Sequence, residues 1–358
     1  MKIFNLFPAP LIRAHFIKKE KWKLQNIQLI SINDIPEEHI NIVAEFARDY
    51  FSRRIYQARK KKNQPFDLAI MYDEKESTSP SDKAAIHKFI KIGESIGFNI
   101  DIISDDDYTR IPEFDGLFIR ETTKVNHQTF RFAQRAAAEG LVVIDDPESI
   151  LKCTNKVYLA ELLNAHRIPT PQTIIFHKEN INIVPAIMNF PIILKKPDSS
   201  FSQGVMKVNS IEEFKKIALQ LLEDSDLILA QEFVPTDFDW RIGVLNKKPL
   251  YACKYFMADN HWQIMNWSKK DSSRMGRAEA YKIEDVPENI IKNAVRSANL
   301  IGEGLYGVDI KVYKNKPYLI EINDNPSIET EVEDGILKDE LYRIIMRYFY
   351  DKIRIKKQ

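Results

Sequence analysis

From Phe66 to Asp145 short apolar runs alternate with segments whose apolar residues recur at helical spacing, and no other feature limits so tightly what this chain can fold into. Asp67-Leu68-Ala69-Ile70-Met71-Tyr72, Phe98-Asn99-Ile100-Asp101-Ile102-Ile103, Asp115-Gly116-Leu117-Phe118-Ile119-Arg120 and Gly140-Leu141-Val142-Val143-Ile144-Asp145 read as strands. The apolar positions Ala84, Ile86, Phe89, Ile90 and Ile92 predict a helix over 83–96, and a second helix spans 128–139. Strands joined through helices lie parallel, with helices covering the faces of the sheet. Polar residues just past the strand ends then line a ligand crevice, and here these are Tyr72-Asp73 and Arg120-Glu121-Thr122-Thr123. At 358 residues the chain has room for two or three units with cores of their own.

Beyond Asp146-Pro147 the pattern loosens. A helix over 155–166 is stopped by Pro169 and Pro171. Strands over 191–195 and 204–208 form a hairpin around a polar tip of small residues, followed by a helix over 211–222 and a strand over 227–234. Strands over 240–245, 250–256, 307–313 and 318–322 alternate with a helix around 290–302, and an amphipathic helix over 336–350 closes the chain. Residues 1–65 carry the least pattern and end in a basic run, Arg53 to Lys62, where a boundary falls. That run suits either phosphate contacts or a solvated helix end.

Composition narrows the function. Hydrophobic residues at 44% and charged residues at 29% are those of a folded globular chain, which argues against disorder or a fibrous repeat. Lys+Arg 52 against Asp+Glu 51 leaves a net charge of +1, so no global field draws the chain to nucleic acid or an anionic membrane. Two cysteines, Cys153 and Cys253, make neither a disulfide framework nor a four-thiolate site, and the seven histidines lack paired ligand spacing, so no zinc site is expected. No uncharged apolar run approaches the roughly 20 residues of a membrane span, and the start, with Pro8 and Pro10, does not read as a secretory signal, so a cytoplasmic protein is expected. Neither G-x-x-x-x-G-K-[ST] nor G-x-S-x-G occurs. Gly302-Glu303-Gly304-Leu305-Tyr306-Gly307 matches G-x-G-x-x-G but follows a helix and precedes a strand, the reverse of a dinucleotide fingerprint, and is expected to be a turn.

The most informative stretch pairs Gly307-Val308-Asp309-Ile310-Lys311-Val312 with Pro317-Tyr318-Leu319-Ile320-Glu321-Ile322-Asn323. Alternate residues of a strand share a face, so Glu321 and Asn323 point the same way and a hairpin register brings Asp309 opposite them. Two carboxylates and an amide carbonyl are hard oxygen ligands that suit Mg²⁺ with nucleotide phosphates. Strand salt bridges and a turn at Asn323-Asp324-Asn325-Pro326 fit the same residues. Lys156, near a helix start, and Lys195, ending a buried strand, could neutralise phosphates or simply snorkel to solvent. Arg241, Arg274 and Arg277 carry forks suited to carboxylate or phosphoryl groups, or else surface charge.

Taken together, Lys156, Lys195, Gln231-Glu232-Phe233, Asp239-x-Arg241, Asp309 and Glu321-x-Asn323-x-Asn325-Pro326 resemble the ATP-grasp superfamily, and more narrowly the RimK-like glutamate ligases. The resemblance implies an α/β chain with an ATP-grasp fold, two α+β subdomains gripping ATP over 151–234 and 235–358. A parallel-sheet pre-ATP-grasp domain over 66–150 would precede it, with a shortened RimK-like N-terminal domain over 1–65. It implies that Lys156 and Lys195 touch ATP phosphates, that the Glu232-Phe233 backbone forms the adenine hinge with Gln231 also at the nucleotide, and that Asp239 lies near the ribose. Gln263 and Asn266 would add nucleotide contacts. Asp309, Glu321 and Asn323 would hold Mg²⁺, or Mn²⁺ in its place, while Arg241 and Arg274 would serve catalysis. The loop 199–204 stands where the family has a glycine-rich flap and keeps only Gly204. The implied reaction joins a carboxylate, glutamate or another acid, to an amine on a small molecule or peptide through an acyl phosphate. Its partners are ATP and these substrates, with no membrane and no nucleic acid, and with homo-oligomerisation open. Rival readings are a nucleotide-binding sensor or scaffold without ligase activity, and a nucleic-acid accessory protein using Arg53 to Lys62.

Overall fold

The computed structural model describes residues 12–18, 22–31, 34–45, 64–198, 204–266, 268–269 and 274–358. The basic run 53–62, the flap tip 199–203 and residues 267 and 270–273 lie outside them. Strands β1 (Ile12–Lys18) and β2 (Trp22–Leu29) pair antiparallel. The alternation read from 66 onward folds as β3 (Phe66–Met71), α1 (Lys83–Ile96), β4 (Phe98–Ile103), β5 (Gly116–Ile119), α2 (Gln128–Ala138) and β6 (Val142–Ile144). The four strands form a parallel sheet in the order β4-β3-β5-β6. Along β3 successive side chains serve opposite faces, as a period of two requires. Leu68 and Ile70 pack toward α1, whereas Ala69 and Met71 pack toward α2. Asp82 caps α1 by accepting from the Ala85 amide, and Gly97, at φ 125, ends it in a conformation that favours glycine.

A single helix is expected at 155–166, but two are present: α3 (Pro147–Thr154) and α4 (Lys156–Ala165). Asp146 accepts from the Glu148 and Ser149 amides with Pro147 in the first turn, which starts α3. Asn155 then leaves helical geometry and caps α4 through the Tyr158 amide. The next sheet contains β7 (Thr173–Phe176), β8 (Ile192–Lys195), β9 (Val205–Val208) and β10 (Ile228–Glu232), with helices α5 (Ile183–Ile187) and α6 (Ile211–Leu221) between them. Its order is β7-β10-β8-β9, wholly antiparallel, and Phe214 and Ala218 of α6 close its core against Phe176 and Leu194.

The third sheet comprises β11 (Phe238–Leu245), β12 (Lys248–Phe256), β13 (Ala278–Tyr281), β14 (Leu305–Tyr313) and β15 (Lys316–Asn323), in the order β13-β12-β11-β14-β15. Helix α7 (Glu288–Ile301) buries Ile290, Ala294, Ala298 and Ile301 against Ile242, Val308 and Ile310. Of the glycine-rich stretch 302–307, Gly302-Glu303-Gly304 is the expected turn after α7, and Leu305-Tyr306-Gly307 already belong to β14. The last helix, α8 (Asp339–Lys356), returns to the parallel sheet, where Tyr342 meets Phe89 edge-on at 4.7 Å and Phe349 meets Phe118 at 5.4 Å. Among the described residues no helix is long and apolar enough to cross a membrane.

Phe349 has no exposed surface and lies in the core shared by α1, α8 and the parallel sheet. Phe349→Ala is expected to lower unfolding stability by about 3–5 kcal/mol through the cavity it leaves, as read from a reduced midpoint in urea denaturation at unchanged slope.

Candidate active site

A cavity of about 970 Å³ opens between the two antiparallel sheets and the ends of the parallel strands. Its lining includes Lys156, Lys195, Gln231, Glu232, Phe233, Asp239, Arg241, Gln263, Arg274, Asp309, Glu321 and Asn323, all expected site residues. Asn266 is not brought to this wall. Its side-chain oxygen accepts from the Ser268 amide and hydroxyl at 3.1 and 2.6 Å, holding its own turn.

The charged wall follows from strand register. On β11, Asp239 and Arg241 are two apart and share a face; on β14 the same holds for Asp309 and Lys311. Arg241 lies opposite Asp309, and Asp309 opposite Glu321. Arg241 grips Asp309 with two nitrogens, Nε on Oδ1 and Nη2 on Oδ2 at 2.8 Å. Its fork, expected to meet the substrate acid or the transferring phosphoryl group, is therefore on a strand neighbour. Lys311 Nζ donates to Asp239 Oδ1 at 2.5 Å and Thr236 Oγ1 at 2.8 Å. From α4, Lys156 Nζ reaches Glu321 Oε1 at 2.9 Å, and from β8, Lys195 Nζ donates to Gln231 Oε1 at 2.7 Å. Four cations thus stand against three carboxylates.

Lys311 was not among the expected site residues. A lysine two positions from Asp309 is the only signal for it, and it becomes legible only once β11 is known to lie alongside.

Titration follows this arrangement. Burial opposes the charge on Glu321, but Lys156 and Lys195 outweigh it and hold the carboxyl below its usual range. Burial lowers Lys195 to about 8; Glu321 resists that shift, while Lys156 and Lys311 add to it. Burial alone would weaken the Arg241 cation, yet Asp309 holds it well above the ordinary range.

At the end of β10, the Glu232 amide donates to the Gln172 carbonyl at 2.9 Å. Phe233 meets Trp262 edge-on at 6.1 Å and carries Lys207 Nζ 3.8 Å above its ring. Opposite, the segment after β15 is tied to the parallel sheet. The fully buried Arg120 donates to Ser81 Oγ (3.0 Å), Asn325 Oδ1 (2.7 Å) and the carbonyls of Pro80 (2.6 Å) and Pro326 (2.9 Å). Thr123 Oγ1 donates to Asp324 at 2.7 Å. Further along, Glu333 accepts from the Tyr255 hydroxyl and, at 2.7 Å, from the Glu329 amide.

The acids fit a hard divalent cation bound with phosphate. Asn323 Nδ2 donates to Asp309 Oδ2 at 3.1 Å and Gly307 O at 3.2 Å, so its carbonyl oxygen is the donor atom suited to a metal. No cluster of three His, Cys, Asp or Glu side chains able to hold a metal occurs among the described residues. Two carboxylates and an amide oxygen are too few for an all-protein cage but suit Mg²⁺, which takes few protein ligands and completes its shell with phosphate and water.

An ATP-sized cleft between two α+β lobes, with a carboxylate pair on a hairpin and lysines facing it, defines an ATP-grasp ligase. The RimK-like ATP-grasp domain matches residues 153–344 and the RimK-like ATPgrasp N-terminal domain residues 1–46, and the chain belongs to the RimK-like ATP-grasp family. It is 25% identical over 68% of its length to the alpha-aminoadipate–LysW ligase LysX of Saccharolobus solfataricus, covering 89% of that protein. It is 25% identical over 70% of its length to the tetrahydromethanopterin:alpha-L-glutamate ligase of Methanocaldococcus jannaschii, covering 86% of it. In fold it resembles D-alanine–D-alanine ligase from Bacillus anthracis complexed with ATP, with a TM-score of 0.60 at 14% identity, covering 81% of this chain and 98% of that one.

Arg241 and Asp309 are both largely buried, so removing one partner strands the other charge. Arg241→Met is expected to cost about 3–5 kcal/mol of stability, and the double variant Arg241→Met/Asp309→Leu to recover part of it, in a double-mutant cycle read by urea denaturation.

Proposed function

We propose that this chain is an ATP-dependent carboxylate–amine ligase that forms an amide through an acyl phosphate, with an amino acid such as glutamate among its substrates. The reading rests most on one observation: Asp309 and Glu321 face each other across β14 and β15 within a wall of four cations. Such a wall is organised for a polyanion before any ligand arrives, which is how positioning and charge neutralisation accelerate phosphoryl transfer.

Lys156 and Lys195 would meet the nucleotide phosphates, and Asp239 the ribose. Gln231, Glu232 and Phe233 would seat the base, with Gln263 beside them. Asp309, Glu321 and Asn323 would hold Mg²⁺, which supplies charge neutralisation between phosphates when bound. The substrate carboxylate oxygen attacks the terminal phosphorus of ATP, and ADP leaves with the electron pair of the broken P–O bond. The amine then attacks the acyl carbon and phosphate departs. Arg274, on the cavity wall, is suited to the transferring phosphoryl group, and the Arg241–Asp309 pair fixes the strand face beneath it. The glutamate part rests on the named activity of relatives such as the methanopterin-linked glutamate ligase.

The test is phosphate release from ATP and Mg²⁺ across amino acids and short peptides. Wild-type protein is expected to release phosphate only with a productive acid and amine. Glu321→Gln is expected to lose at least about a hundredfold in turnover with its circular dichroism unchanged; turnover at the wild-type rate would refute the assignment.

A pH dependence follows from Lys195. With its pKa near 8 in the free protein, the ammonium form that attracts phosphate is lost as pH rises through that value. ATP affinity is therefore expected to fall above pH 8, by at most about tenfold per pH unit, with proton uptake on binding in calorimetry. Lys195→Met is expected to bind more weakly and to lose this component of the slope.

A further inference from the structure

Amide formation raises a proton problem that the phosphate-binding wall does not solve. At neutral pH an ordinary amine enters as an ammonium, whose nitrogen has no lone pair for attack. Three of the acids lining the cavity, Asp239, Asp309 and Glu321, are each held by a cation. Glu333 is different. It reaches the cavity from the segment after β15, is 2% exposed, and is bonded to the neutral Tyr255 hydroxyl and Glu329 amide. Those bonds fix the carboxyl while leaving each oxygen able to accept another hydrogen. The Tyr255 ring lies 5.0 Å from the Arg241 guanidinium, so one side chain separates Glu333 from the Arg241–Asp309 pair.

Resting on the ligase reading above, we infer that Glu333 accepts the proton of the attacking amine and is a catalytic residue of the amide-forming step. The ammonium passes one proton to the Glu333 carboxylate. The freed lone pair forms the C–N bond at the acyl carbon, and the C–O bond to phosphate breaks with its electron pair leaving on phosphate. The second N–H proton departs with phosphate, and Glu333 returns its own to solvent.

The groups facing Glu333 are Tyr251, Cys253 and Tyr255 from β12, Arg120 from the end of β5 and Glu329 on its own segment, with Arg241 behind the Tyr255 ring. Burial first, and Glu329 with it, carry the carboxyl up to about 7 against the bonds from Tyr255 and the Glu329 amide. A base titrating near neutrality is matched to this transfer.

Glu333→Gln keeps the shape of the side chain while removing the base, its oxygen able to accept from the Glu329 amide and its nitrogen to donate to the Tyr255 oxygen. Full-length wild type and variant would be given ATP, Mg²⁺ and, from the twenty amino acids, the acid that releases phosphate fastest. The nucleophile would be either the best amino acid or hydroxylamine, which is largely unprotonated at pH 7. The variant is expected to lose about a hundredfold or more in amide formation at pH 7 yet to stay within about threefold of wild type in hydroxamate formation. Its deficit should shrink as pH approaches the amine's own pKa, and Glu333→Asp should restore part of the amide rate. Equal losses with both nucleophiles, or no loss with the amine, would overturn the inference. A wild type that makes neither amide nor hydroxamate with any of the twenty would instead overturn the ligase reading, and this inference with it.

Discussion

The bidentate pair between Arg241 and Asp309 organises the whole site. It joins β11 to β14 on the face turned to the cavity, and its energetics explain why the neighbouring charges stand where they do. A buried carboxylate opposite another, as Asp309 is opposite Glu321, is costly unless each finds a cation. The strands meet this need by complementary order: acid then base along β11, acid then base along β14, and antiparallel pairing sets each acid against a base. Lys156 does the same for Glu321 from α4.

The charged wall alone would be an anion trap. A cleft with two ends arises because the parallel unit is pinned to the hairpin. Arg120 spends all its bonds on Ser81, Pro80, Asn325 and Pro326, and Asn325 donates back to the Glu121 carbonyl at 2.7 Å. The residues following Asn323 are therefore held against the ends of β3 and β5, where a crevice forms in any sheet of this topology. The cations of the strand wall and the loops at the ends of the parallel strands share one cavity for this reason.

Periodicity made much of this legible. The helix at Lys83–Ile96 and the strand at Phe98–Ile103 match their expected bounds because each buries one stripe or one face. The facing of Asp309 and Glu321 follows from a strand's period of two and a hairpin. What stayed hidden depended on neighbours distant in sequence. Lys311 is an unremarkable strand lysine until β11 brings Asp239 beside it. Glu333 sits in an irregular segment with no period to betray its direction. β13, Ala-Glu-Ala-Tyr, lacks branched residues and forms by pairing with β12. The helix start at Asn155 was legible, but α3 before it was not, because eight residues hold too few apolar positions to show a helical period.

The return of α8 to the parallel sheet bears on how the chain acquires its structure. Leu68, Phe89 and Phe118 complete their packing with Tyr342, Ile345 and Phe349, more than two hundred residues downstream. During synthesis that sheet therefore waits, with the part of its α1 face that α8 completes left uncovered, until both antiparallel lobes have left the ribosome. Closing so long a loop is slow, and the uncovered face is the surface a chaperone would hold meanwhile.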